Sequence, residues 1–107
     1  MKIAIIVTTS NRNASLAIGS VTGLSQEEVN ARLAHGDVLL EGELIANPEI
    51  RRCCRDVLAV LGAFHITPEI YRLEPDGKTL CKSEENRICV TTIERLLAQW
   101  QRTTLTH

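Results

Sequence analysis

The chain has 107 residues, 44% of them hydrophobic and only 3% aromatic, and its 12 basic and 13 acidic side chains leave a net charge of −1. This is the length of a single domain, enough to bury a core without disulfides or metal. The balanced charge argues against duplex nucleic acid, which demands a basic footprint, and the scarcity of rings (Phe64, Tyr71 and Trp100) argues against a stacking surface for single strands.

Lys2-Ile3-Ala4-Ile5-Ile6-Val7 is a short β-branched run that reads as a strand buried on both faces. A polar turn, Thr8 to Asn13, follows, with Ser10 or Asn13 placed to cap the next helix. Ala14, Ala17, Ile18 and Val21 recur at helical spacing, and Thr22-Gly23-Leu24 ends that helix. Ser25-Gln26-Glu27-Glu28 is a capping box that opens a second helix, which turns Val29 and Leu33 inward and stops at Gly36. Asp37 to Ile45 reads as a strand in which Gly42 marks a bend or bulge. Asn47-Pro48-Glu49 supplies a cap, a proline at the first helical position and an acid near the positive helix end. The helix it opens carries Ile50, Cys53, Cys54, Val57, Leu58 and Leu61 on one stripe, with Gly62 near its end.

Thr67 to Leu73 reads as the next strand, with Pro68 at its first residues or on an edge. Pro75-Asp76-Gly77 is a turn signal, which makes Lys78 to Lys82 a hairpin partner. Ile88-Cys89-Val90 reads as a short strand, and a second capping box, Thr91 to Glu94, opens a last helix with Ile93, Leu96, Leu97 and Trp100 on its apolar face. The expected architecture is an α+β two-layer sandwich: a β-α-α-β-α-β core over residues 1–74 and an appended C-terminal hairpin and helix over 75–107, all in one domain.

Val21-Thr22-Gly23-Leu24-Ser25-Gln26-Glu27-Glu28-Val29 resembles the C-terminal domain of the bacterial ribosomal stalk protein, a family with a similar T-G-L turn followed by a polar cap and an acid. The resemblance continues through Leu39-Leu40-Glu41-Gly42 and Leu61-Gly62-Ala63, and covers about residues 2 to 73 in element order. It implies a bacterial chain with this fold, which the Clp protease adaptor family shares. Both families are binding modules without chemistry of their own. The stalk domain recruits translation factors through lysines on its first helices. This chain has no lysine between Lys2 and Lys78 and offers Asn11, Arg12, Asn13 and Ser15 there, so the resemblance does not extend to factor recruitment.

The cysteines Cys53, Cys54, Cys81 and Cys89 accompany no export segment, since the apolar start gives way after five residues to Thr8, Thr9 and Ser10. A cytoplasmic chain with reduced thiols is expected, and no run is long enough to span a membrane. Cys53-Cys54 lies in a strong helix that forbids the distorted backbone of a vicinal disulfide, and its place on the apolar stripe reads as core. Zinc sites use ligand pairs two to four residues apart, a spacing missing here, so neither metal nor cofactor is expected. His35 and His65 fall at helix ends, where a cation suits the dipole, and no catalytic residue is assigned.

Arg51, Arg52 and Arg55 cluster opposite the stripe of the third helix, with Arg52 spaced to pair with Asp56. With Arg12 in the first turn, they are the candidate partner-binding residues. Trp100 is the candidate for self-association, as a homodimer. The function expected is a non-enzymatic protein-interaction module, an adaptor or regulator of an unidentified protein partner. One alternative is a thiol-dependent redox sensor or enzyme acting through Cys53 or Cys54. Another is a structural subunit of a homo-oligomer.

Overall fold

Residues 2–44, 47–73 and 84–105 are described by the computed structural model, with side chains through Gln99. In chain order they form β1 (Lys2–Ile6), α1 (Arg12–Thr22), α2 (Gln26–His35), β2 (Val38–Glu43), α3 (Pro48–Ala63), β3 (Glu69–Arg72) and α4 (Val90–Leu105). The fold is α+β in the order expected. The hairpin strand placed at Lys78 to Lys82 lies outside the described residues.

β1 is the middle strand of a three-stranded sheet ordered β2-β1-β3, and both pairings are antiparallel. A strand flanked on both edges inside the molecule has no use for polar side chains, which explains its unbroken Ile-Ala-Ile-Ile sequence. Alternation sends Ile3, Ile5 and Val7 to one face and Ala4 and Ile6 to the other, and all five are buried. The first set joins Ile18 of α1, Val29 and Leu33 of α2, and Cys54, Val57, Leu58 and Leu61 of α3 in one core. Ile93 and Leu97 of α4 enter the same core, so the C-terminal helix shares the main hydrophobic cluster.

The helix ends follow the local chemistry of their residues. Ser25 accepts from the Glu28 N–H at 3.2 Å, Asn47 accepts from the N–H groups of Glu49 and Ile50, and Gly23 and Gly36 take the left-handed conformation. Three details depart from the sequence reading. Asn11, not Ser10 or Asn13, caps α1 by accepting from the Ala14 N–H at 3.0 Å. Glu28 does not complete the capping box, because its Oε1 takes Nη2 of Arg32, one helical turn on, at 2.8 Å. Ile88 to Val90 is not a strand. Arg87 bridges Tyr71, the Ile88 N–H donates to Ile70 O at 2.8 Å, and helix α4 has begun by Val90.

The irregularity of β2 is also displaced from its expected position. Ile5 pairs with Leu40 and Ile6 with Val38, which leaves Leu39 as the extra residue of a bulge and turns it into the core. Gly42 stays in regular register opposite Ile3. A Cβ there would stand 2.9 Å from Cδ1, Cγ1 and Cγ2 of Ile50, so the missing side chain lets the start of α3 rest on the sheet.

Candidate functional site

Where β1 ends, the chain turns through Thr8, Thr9 and Ser10 into the cap of α1, and Thr9 Oγ1 accepts from the Asn11 N–H at 3.1 Å. α1 and α2 then fold back on each other, and a knot of uncharged polar groups joins them. Gln26 Nε2 donates to Ser15 Oγ at 2.6 Å and to Asn30 Oδ1 at 3.0 Å, while the Ser15 hydroxyl donates to Asn30 Oδ1. Ser15 is 4% exposed and is the buried polar side chain of the described residues. Its full pairing removes the penalty of putting a hydroxyl there.

This knot lines a cleft of about 1020 Å³. Its rim is hydroxyl and amide (Thr8, Thr9, Ser10 and Asn11), and its apolar parts are Leu16, Leu33 and Ala34. Arg12 carries the only charge among the described lining residues. Leu16 is the one large aliphatic side chain among them left in solvent, 53% exposed, while Leu33 is buried. The cleft can therefore bury an apolar group against Leu16, satisfy a backbone with neutral donors and acceptors, and attract a negative charge.

The arginines expected to bind a partner fall on two helices, Arg12 on α1 and Arg51, Arg52 and Arg55 on α3. Arg12 is exposed on the rim of the cleft. Arg51 is half-buried and its Nη1 donates to Leu44 O, just after β2, at 2.8 Å. Arg52 and Arg55 are exposed on α3, and Asp56 lies 3.8 Å from Nε of Arg55 instead of pairing with Arg52. Trp100 falls within α4, and its side chain lies outside the described residues.

The cysteines divide by environment. Cys54 is fully buried, and burial above all, with Cys53 beside it, pushes its thiol from 9.0 up to about 12. Cys53 is half-buried with its Sγ 3.7 Å from Val21 O, and burial followed by the nearby Asp56 raises its pKa as well. Neither is poised as a nucleophile. Cys89 is exposed at the start of α4, where its carbonyl accepts the first helical hydrogen bond from Ile93. The backbone N–H of Thr91, then the Thr91 hydroxyl and the Thr92 N–H, lower its pKa, with a smaller contribution from Arg95. Cys81 lies outside the described residues. No group of three or more potential metal ligands occurs among the described residues, and no described helix is long and apolar enough to cross a membrane. His35 closes α2 and His65 is exposed after α3.

Sequence reasoning passed over Leu16, although its displacement from the Ala14-Ile18-Val21 stripe was the signal that it faces outward. The spacing of Gln26 and Asn30 at i and i+4 likewise marks one helix face, but its meeting with Ser15 depends on the α1–α2 packing. Cys89 was assigned to a strand, and its thiol environment comes only from the helix that begins after it. No family model, curated protein or solved structure matches this chain.

Proposed function

We propose that this protein is a non-enzymatic interaction module that docks a partner protein in the cleft between the β1–α1 turn and the α1–α2 hairpin. The observation that carries the reading is Leu16, exposed at the cleft beside Arg12, in a molecule whose other large aliphatic side chains are covered among the described residues. An apolar anchor ringed by neutral hydrogen-bonding groups is the usual anatomy of a protein-recognition patch. Burying the remaining half of a leucine side chain contributes only about 1 kcal/mol. Most of the affinity must then come from hydrogen bonds along the rim and from Arg12, as suits a reversible regulator. The partner segment should present an apolar residue next to an acid, the complement of Leu16 and Arg12.

A photo-reactive amino acid placed at position 16 in the protein's own cells tests this. A discrete protein adduct is expected that disappears in an Arg12→Glu background, while the same probe at exposed Glu85 gives no such adduct. An adduct at position 16 that is indifferent to Arg12, or no adduct at all, would overturn the reading.

A further inference from the structure

A second surface, away from this cleft, has the features of an interface between copies. α3 and α4, each 16 residues long, meet at a groove of about 220 Å³. Its floor is Leu58 and Leu97, both buried in the main core. Ala59 and Ala98 line it as exposed small residues, which allow another helix to approach closely. Arg55 stands on the α3 side and Glu94 on the α4 side. Glu94 has no ion-pair partner among the described residues, and Arg55 has only its 3.8 Å contact with Asp56.

We infer that the α3–α4 face is a self-association surface on which a second copy of this chain docks about a two-fold axis, Arg55 of each copy meeting Glu94 of the other. The charge pattern selects this occupant. A foreign helix of one sign would satisfy one wall of the groove and oppose the other, whereas a two-fold copy presents a base to the acid and an acid to the base. Size sets the strength. Residues 90–99 of α4, whose side chains are described, span about 15 Å, and two adjacent helices present a face about 20 Å wide, so roughly 300 Å² per copy is available. The total, roughly 600 Å², is below the range of stable specific interfaces, which makes the dimer weak and dependent on concentration.

Sedimentation of the full chain over a concentration series tests the inference. The wild type should pass reversibly from monomer to twice the monomer mass. Arg55→Glu and Glu94→Arg should each weaken dimerisation by at least about tenfold, since each turns two attractions into repulsions. An equimolar mixture of the two variants should recover association as a heterodimer, because the reversed charges then complement each other across the interface. Ala98→Gln, an exposed site, should block close approach without touching charge, and circular dichroism verifies that each variant is folded. A chain that stays monomeric at every concentration, or a dimer insensitive to both reversals, would overturn the inference. So would a mixture that associates no better than its components.

Discussion

Labelling the folded protein with an aromatic disulfide at about pH 8 should separate the thiols into distinct kinetic classes. A thiol with the ordinary pKa of 9.0 is about one-tenth ionised at that pH, whereas at about 12 the fraction is about one in ten thousand, a thousandfold less. Intrinsic nucleophilicity rises with pKa and returns about twentyfold over three units, leaving Cys54 about fiftyfold slower on thiolate chemistry alone. Its complete burial then adds a steric block, so labelling must wait for the core to open. Cys89, exposed and with a lowered pKa, should react first. Cys53, half-buried and raised, should follow, and Cys54 should react only at the opening rate. A Cys81→Ser background restricts the readout to these three, intact mass counts the labels, and Cys89→Ser should remove the fast phase alone. Denaturant should make all three thiols equivalent. If Cys53 or Cys54 labels as fast as Cys89 in the native protein, the core placement is wrong and the thiol-chemistry alternative revives.

The same burial has an alkaline consequence. The folded pKa of Cys54 is raised, so its contribution to stability is fully present below the unfolded value of 9.0 and is lost as pH climbs toward about 12. The wild type should therefore lose part of its advantage over Cys54→Ala across that window in urea titrations, and a constant difference would count against a buried neutral thiol. Gly42→Ala should destabilise by about 1 kcal/mol, because the new methyl meets both branches of the stiff Ile50 side chain and overpacking outweighs the entropy gained. In a domain of this size that is about 4–8 °C of melting temperature, and Ile50→Ala in the same chain should relieve the clash. His65, the only non-glycine at positive φ among the described residues (56°), should accept glycine with a gain of up to about 1 kcal/mol but lose stability on change to valine. Equal midpoints for the three forms would show that the left-handed backbone imposes no cost.

Features decided by near neighbours were legible in the sequence. Asn47 with Pro48, Ser25, Gly23 and Gly36 each announce a helix boundary because the side chain or missing side chain acts within four residues. The buried strand was legible for a related reason, since Ile3 to Val7 has no polar face to offer. Gly42 was ambiguous because a missing side chain allows either a turn of the chain or the approach of another element. Ile50, eight residues on and in the first turn of α3, decides for approach, and the bulge falls at Leu39. Arg51 shows the limit of periodicity differently. Helical spacing fixes where a Cβ points, but a long guanidinium stem can fold back, and this one reaches the Leu44 carbonyl.

The same distinction explains why the candidate site was only half visible. Arg12 stood out as a charge in a polar turn, but a lone arginine beside a helix start signals nothing without a surface to act on. That surface lies where Gln26, Ser15 and Asn30 tie α1 to α2, and the tie depends on residues 11 and 15 positions apart in the chain. Leu16 then gains its meaning from contrast. On a molecule with many exposed aliphatics it would be unremarkable, since scattered apolar side chains are normal on any surface. Here the other large ones are at least partly covered among the described residues, and the exception sits beside the cleft's only described charge. The proposed docking site rests on the adjacency of those two residues, one helical turn apart on α1, more than on either residue's type.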